Sequence, residues 1–129
     1  MRVFKTKDFA RFARKEKIAD EALCEAIARA ERGLVDADLG GGVIKQRVAR
    51  AGKGRSGGYR TLIAYRTKTR AILIYGFAKS SKDNVTATEL AALRQLALEY
   101  LGYDGSQVDT HLKDKAWTEV SCDDGEVQE

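Results

Sequence analysis

The segments GGVIKQRVARAGKGRSGGYRTLIAY (41–65) and RAILIYGFAKSSKDN (70–84) decide the fold of this chain. They contain three strand-like runs, VIKQRVAR (43–50), YRTLIAYR (59–66) and RAILIYGF (70–77), and only three residues separate the last two. That short connection predicts an antiparallel hairpin. The third run is apolar at both alternating positions, which indicates a central strand covered on both faces.

The same part of the chain is basic and free of acid. No Asp or Glu occurs between Asp38 and Asp83, whereas eleven basic residues do: Lys45, Arg47, Arg50, Lys53, Arg55, Arg60, Arg66, Lys68, Arg70, Lys79 and Lys82. A basic field over a sheet attracts a polyanion and can stabilise the charge that builds on a phosphate under attack. A plain solvated surface would normally mix in acidic residues, so we expect a phosphate-bearing partner.

Helical patterns flank this basic segment. A short strand at 2–6 precedes an amphipathic helix opened by Asp8, and a second helix is predicted from Asp20, as its cap, to Gly33. Residues 86–89, TATE, form a capping box for a third helix that ends at Gly102. The sequence therefore predicts an α+β fold: a small, mostly antiparallel β-sheet with two N-terminal helices on one face and a C-terminal helix opposite or at the edge.

The totals describe one domain with an acidic end. Residues 1–103 hold 21 basic and 11 acidic residues, residues 104–129 hold 2 and 8, and the formal net charge is +4. We divide the 129 residues accordingly into a main domain, 1–103, and an acidic extension, 104–129. Apolar residues in the extension predict a short helix and an edge strand up to about residue 120, with loosely held residues after it.

Several classes of protein are disfavoured. Cys24 and Cys122 stand far apart without a CxxC spacing, which argues against a disulfide framework and against a zinc site. The first residues, MRVFKTKDF, contain no apolar signal segment, and no apolar run approaches about 18 residues. A cytoplasmic location without membrane insertion is the expectation.

Familiar nucleotide and metal motifs are also missing. GKGRSG (52–57) fits GxGxxG by letter, but it joins strand to strand and has no acidic residue about twenty positions on. The surrounding AGKGRSGG (51–58) predicts a flexible basic loop instead. The one histidine, His111, lies in the extension, and no carboxylates in the basic segment could hold Mg²⁺. We expect neither a cofactor nor a metal.

Any chemistry on the sheet must therefore be done by Lys, Arg and Tyr. RNA permits this, because its 2′-hydroxyl can attack the adjacent phosphodiester and the protein need not supply the nucleophile. Lysines crowded by other cations can transfer protons, and arginines grip phosphate with two donors. Lys45 and Arg47 share one face of a strand, and Arg60 and Lys79 come from the other two strands of the candidate sheet.

The order of a strand, two helices and a basic three-stranded sheet with GGYR opening the middle strand resembles the RelE/ParE toxin superfamily. The string at 41–65 followed by IYGFAKSSKDN (74–84) is most similar to its HigB-like RelE branch, over about residues 1–101. The resemblance implies a toxin that cuts messenger RNA in the ribosomal decoding site, and a helix-turn-helix antitoxin that neutralises it.

Carried over by position, Arg60 corresponds to the family's phosphate-binding arginine, and Lys45 and Arg47 to its paired basic strand residues. Lys79 falls at or next to the basic residue after the last strand. These four residues are the catalytic candidates. We assign further RNA contacts to Arg50, Lys53, Arg55 and Lys82.

The sequence departs from the family at one functional position. RelE proper has a tyrosine at the start of the terminal helix, whereas residues 84–87 here read NVTA. The histidine that HigB-type relatives use has no counterpart here either, because His111 lies outside the region of resemblance. Tyr59, Tyr65 and Tyr75 are interpreted as core or hairpin residues. Two other functions remain open: a non-enzymatic inhibitor of a topoisomerase, as in ParE, and an RNA- or ribosome-binding module without turnover.

Overall fold

A computed structural model of the chain describes residues 1–50, 54–82 and 84–122, with residues 54–56 described through their backbone alone. Two of the predicted RNA contacts cannot be placed: Lys53 lies outside the described residues, and only the backbone of Arg55 is described. The loose end expected after about residue 120 concerns mainly 123–129, which also lie outside them.

The described residues form helices on both sides of one sheet. Its strands are ordered β2-β3-β4-β5-β1-β6, and every neighbouring pair is antiparallel except β1 and β5. This confirms the predicted α+β class with a mostly antiparallel sheet. The elements are β1 (Arg2–Thr6), α1 (Lys7–Glu16), α2 (Asp20–Glu31), β2 (Ala37–Gly40), β3 (Val43–Arg50), β4 (Gly54–Arg66), β5 (Arg70–Ala78), α3 (Ala87–Leu101), α4 (Gly105–Lys113) and β6 (Trp117–Val120).

The sheet separates two hydrophobic cores. The first lies under α1 and α2 and includes Phe9, Leu23, Ile27, Val48 and Ile63. The second lies under α3 and α4 and includes Phe4, Val43, Leu62, Leu93 and Trp117. Alternate residues of each strand enter opposite cores, because successive side chains of a strand point to opposite faces. The predicted placement of two N-terminal helices on one face and the C-terminal helix on the other is thus confirmed.

The helix ends follow local chemistry, with one exception to the prediction. Thr86 and Glu89 form the expected capping box at the start of α3. The expectation that Asp20 caps α2 is wrong, because the cap position is Ala19, which provides no side-chain hydrogen bond. Asp20 instead accepts a hydrogen bond of 2.9 Å from the Lys5 ammonium. None of the described helices is both long and apolar enough to cross a membrane.

Two strands were not expected where they occur. β2 ends at Gly40, and Gly41 and Gly42 turn the chain from β2 into β3. β4 begins at Gly54, so the second half of the predicted flexible loop at 51–58 is strand. Neither segment is marked in the sequence by a run of apolar residues; β2, for example, has the sequence ADLG.

The C-terminal part completes the sheet. α4 packs Val108 into the second core, and β6 pairs antiparallel with β1 at the sheet edge. β6 thereby brings Cys122 beside α2, and the sulfurs of Cys24 and Cys122 are bonded, with 5.5 Å between their Cα atoms. The expectation of no disulfide is therefore wrong. The two cysteines are separated by 98 positions in the sequence, so no local pattern predicts that they pair. The position of β6 brings them together.

Candidate nucleic-acid interface

The residues predicted to act together lie on the α3 side of β3, β4 and β5, in two rows across the strands. Arg47 lies opposite Arg60, which lies opposite Phe77. In the neighbouring row Lys45 lies opposite Leu62, which lies opposite Tyr75. We call this surface the basic face; it comprises Lys45, Arg47, Arg60, Tyr75 and Phe77, and the exposed Lys79 follows β5 directly.

Two buried polar side chains fix which way the basic residues point. Gln46 is fully buried on the opposite side of β3, where its amide donates to the carbonyl of Ala26 at 2.9 Å and accepts from the Asp36 N–H at 2.7 Å. The hydroxyl of Thr61, also fully buried, donates to the Gln46 carbonyl at 2.9 Å. Because side chains alternate along a strand, Lys45 and Arg47 must then face α3.

The helix α3 covers only part of this side of the sheet. Its buried residues Leu93, Ala97 and Leu101 belong to the same core cluster as Val43 and Ala64. Farther along the strands, Arg47 and Lys79 are exposed and Arg60 is half-buried. The charged end of the basic face is therefore accessible to a ligand.

A carboxylate from outside the basic segment holds Arg47. Asp36 accepts hydrogen bonds from the Arg47 backbone N–H at 2.7 Å and from its guanidinium at 3.3 Å. It also accepts from Arg29 at 3.3 Å, and Arg29 is buried and donates to the Arg47 carbonyl. Burial alone would raise the pKa of Asp36, but the hydrogen bonds from Arg47 and Arg29 outweigh it and lower that pKa. Arg29 of α2 is thus a buried arginine that holds Asp36 and the backbone of β3 together.

Arg60 lies on the basic face directly opposite another arginine, Arg47. Burial and the adjacent charge of Arg47 lower its pKa, and Asp36 offsets this only in part. An arginine remains protonated under such conditions, so the shift reflects repulsion between two permanent cations. Like charges directly opposite on antiparallel strands are destabilising. An anion bound at both guanidinium groups would relieve this repulsion, and phosphate can accept two hydrogen bonds from each group.

The connection from β5 to α3 lies beside the basic face and supplies further charges. The Lys45 ammonium donates to the Asn84 side-chain oxygen at 3.4 Å. The Lys82 ammonium lies 2.7 Å from both carboxylate oxygens of Glu89 and 3.4 Å from the Tyr75 hydroxyl. Lys79 is exposed, and its side chain makes no hydrogen bond or ion pair with the rest of the described chain. Of the two predicted lysines here, Lys82 is held by a carboxylate and Lys79 is not.

Arg50 does not join the other candidates. Its guanidinium lies 5.6 Å from the ring centroid of Tyr59, on the side of the sheet covered by α1 and α2. Tyr59 is buried there and its hydroxyl donates to Glu16 at 3.1 Å. The structure therefore brings Lys45, Arg47 and Arg60 to one side of the sheet and places Arg50 on the other, while Lys79 is exposed in the turn after β5.

Two glycines explain why the motifs GGYR and YGF have their form. A side chain at Gly58 would bring its Cβ within 2.2 Å of the Val48 carbonyl oxygen, where β3 and β4 meet at a register shift. A Cβ at Gly76 would lie 2.5 Å from the ring of Phe12. Neither position tolerates a larger residue without movement of the strands or of α1. The glycines thus allow the close packing that sets the strands carrying the basic face.

Metal ligands do not gather in the part of the chain that is described: no three His, Cys, Asp or Glu side chains come together as a candidate metal site. His111 lies in an aromatic group beside α4, where its Nδ1 is 3.0 Å from the Gln107 carbonyl and its Nε2 is 3.2 Å from the Tyr103 hydroxyl. Trp117 completes this group with a ring centroid 5.1 Å from that of His111.

The comparison with known families agrees with this arrangement. Residues 1–120 match the family described as "RelE toxin of RelE / RelB toxin-antitoxin system". The chain therefore belongs to the RelE toxin family, and its general role is that of the toxin in a toxin–antitoxin system. The match extends through β6, beyond the segment over which the sequence resemblance was recognised. None of the curated proteins compared with the chain matches it.

Proposed function

We propose that this chain is a ribosome-dependent endoribonuclease of the HigB-like RelE branch, which cuts messenger RNA without a metal and so inhibits translation. The observation that carries the proposal is the opposition of Arg47 and Arg60 at the accessible end of the basic face. Two fixed guanidinium groups on adjacent strands provide donors for the oxygens of one phosphodiester.

The reaction requires no nucleophile from the protein. The 2′-oxygen of the RNA bonds to phosphorus, the bond from phosphorus to the 5′-oxygen breaks, and a 2′,3′-cyclic phosphate is formed. Arg60 and Arg47 bind the non-bridging oxygens, on which negative charge grows in the transition state. The two proton transfers, from the 2′-hydroxyl and to the 5′-oxygen, fall to groups around the arginines, among which Lys45 and Lys79 are candidates.

The partners follow from this reaction. The substrate is messenger RNA on the ribosome, so the toxin acts in the cytoplasm, and a helix-turn-helix antitoxin would hold it inactive. Asp36 supports a simple mode of inhibition, because it already forms an ion pair with Arg47 at 3.3 Å. A carboxylate brought by an antitoxin to Arg60 would compete with phosphate in the same way.

Two other functions would differ from the ribonuclease in what they require of the protein and in whether RNA is cleaved. A ParE-like inhibitor acts on a topoisomerase and does not need groups that grip phosphate. An RNA-binding module would hold the ribosome or its RNA without cleaving it. The basic face favours the ribonuclease over the first alternative, and turnover separates it from the second.

The test is cleavage of messenger RNA on programmed ribosomes by the purified protein, with cut sites mapped by primer extension. We expect cleavage with ribosomes and none with the same RNA alone. The downstream product should carry a 5′-hydroxyl, which polynucleotide kinase labels without prior phosphatase treatment. A 5′-phosphate would overturn the mechanism. Intact RNA together with loss of topoisomerase activity would favour the inhibitor, and binding of ribosomes without cleavage would favour the binding module.

A further inference from the structure

Tyr75 lies within reach of the phosphate that Arg47 and Arg60 would bind. It is on the same side of β5 as Phe77, the direct cross-strand neighbour of Arg60, and it is itself opposite Leu62. Such diagonal neighbours on adjacent strands are about 7–8 Å apart, which long side chains span. The Tyr75 ring is half-buried and packs against Phe77, with 6.0 Å between the ring centroids. Packing on one side thus limits where the hydroxyl can go.

The hydroxyl of Tyr75 has an oriented neighbour. The Lys82 ammonium lies 3.4 Å from the Tyr75 oxygen and 2.7 Å from both oxygens of Glu89, which is itself fixed by the capping box of α3. The hydrogen bond with Glu89 raises the pKa of Lys82, so the ammonium stays protonated. An ammonium has only donors. The Tyr75 oxygen must therefore accept from it, and the phenolic proton is left for another acceptor.

That acceptor is not among the described residues, since Lys82 provides the one side-chain hydrogen bond that Tyr75 makes there. The Lys82 ammonium, 3.4 Å from the Tyr75 oxygen, is placed to contact the phenolate that would remain after proton transfer. A phenol is also a stronger acid than the alcohol formed when the 5′-oxygen leaves. The arrangement of Tyr75, Lys82 and Glu89 is therefore that of a proton donor facing the basic face.

We propose that Tyr75 is a catalytic residue that protonates the leaving 5′-oxygen, with Lys82 and Glu89 as its positioning residues; this role rests on the proposed ribonuclease function. As the 2′-oxygen bonds to phosphorus, the electron pair of the breaking bond goes to the 5′-oxygen, which takes the Tyr75 proton. The phenolate is held by the Lys82 ammonium. It regains a proton, through solvent, from the base that took the 2′ proton, so the enzyme is restored.

The experiment compares two substrates on programmed ribosomes. One is a messenger RNA with an ordinary linkage at the mapped cut site, and the other has sulfur in place of the bridging 5′-oxygen. A thiolate leaves without protonation, so the sulfur substrate does not need a general acid. For Tyr75→Phe we expect a single-turnover rate about 10²–10³-fold lower on the oxygen substrate, within the range for general acid catalysis. On the sulfur substrate its rate should be close to that of the wild type.

A matched control is Tyr65→Phe, because the Tyr65 hydroxyl bonds to Glu31 near the β4–β5 hairpin, away from the basic face. It should cleave both substrates at the wild-type rate. Lys82→Met removes the cation beside Tyr75 and also breaks the ion pair with Glu89. As a positioning residue for the proton donor, Lys82 should matter more on the oxygen substrate than on the sulfur substrate, so the variant should lose more rate on the former.

The outcomes separate the two proposals. A wild-type protein that cleaves neither substrate overturns the ribonuclease function and the role of Tyr75 with it. If the wild type cleaves but Tyr75→Phe is unimpaired, or is slowed equally on both substrates, the ribonuclease proposal stands and the role of Tyr75 as proton donor is overturned.

Discussion

Arg47 and Arg60 lie directly opposite each other on β3 and β4, and the carboxylate that partly balances their charges, Asp36, comes from the segment between α2 and β2. Arg47 is thus held by an ion pair and by a backbone bond, and Arg60 is half-buried on the neighbouring strand. A phosphate bound between them would gain donors from both.

Replacement of Arg60 should abolish most activity. Arg60→Ala removes a phosphate contact that strengthens in the transition state, and one such donor contributes about 10²–10³ in rate. Single-turnover cleavage measures the loss of activity, and denaturant unfolding checks that the variant is folded. The control is Arg32→Ala, an exposed arginine at the end of α2. Growth inhibition by Arg60→Ala equal to that of the wild type, at equal expression, contradicts the assignment.

Asp36 should make stability depend on pH. A carboxylate whose pKa is lowered in the folded state stabilises that state above its unfolded-state pKa of about 3.9, and the contribution is lost as the pH falls through the folded-state pKa. Asp36→Asn should lower the free energy of unfolding at pH 7 by about 1–3 kcal/mol. The difference from the wild type should shrink below about pH 4. Urea unfolding of both proteins at several pH values measures it, and a difference that is constant down to pH 2 would contradict this role.

Reduction of the disulfide should destabilise the whole domain. Cys24 and Cys122 close a loop with a sequence separation of 98. The chain-entropy account assigns about 4–5 kcal/mol to a loop of that length. Unfolding with and without reductant should differ by up to this amount. The double variant Cys24→Ser with Cys122→Ser should match the reduced wild type and not respond to reductant. Equal stability of the oxidised and reduced wild type is the opposing result.

Gly58 should be intolerant of even one methyl group. Gly58→Ala would place a Cβ 2.2 Å from the Val48 carbonyl oxygen, and overpacking of this kind costs about 1–3 kcal/mol. Gly105→Ala is the matched control, because a Cβ there meets nothing within 4 Å and Gly105 opens the helix α4. Thermal unfolding should show a lower midpoint for the first variant and an equal or higher one for the second. A Gly58→Ala midpoint equal to the wild type would show that the strands can move apart there.

Local patterns predicted the frame of the fold and the side of the sheet for much of the site. Alternation along 43–50 and 59–66 placed Lys45 and Arg47 on one face, and the short turn after β4 specified the hairpin. Patterns of this kind depend on neighbours in sequence. They therefore predicted the central strands and α3, but not β2, whose four residues carry no clear alternation.

The segment between Asp38 and Asp83 contains no acidic residue, but the fold brings carboxylates from outside the segment into contact with its cations. Asp36 and Glu89 lie just outside it along the chain, yet each binds one of its cations in the structure. The pairing of Cys24 with Cys122 and the approach of Lys82 to Tyr75 likewise depend on the tertiary fold. Tyr75 was interpreted as a core or hairpin residue because an aromatic in an apolar run is usually packed. In the structure Tyr75 is half-buried and its hydroxyl accepts a hydrogen bond from Lys82, a contact that the strand pattern does not specify.

The position of β1 has a consequence for how the chain folds during synthesis. β1 is made first, but it lies between β5 and β6, which are made late, and its parallel pairing with β5 joins residues such as Arg2 and Arg70. Contacts so distant in sequence slow folding. The β2–β3–β4–β5 meander can assemble as it emerges, whereas β1 must wait with both edges open. The finished sheet therefore forms only once Trp117–Val120 has left the ribosome.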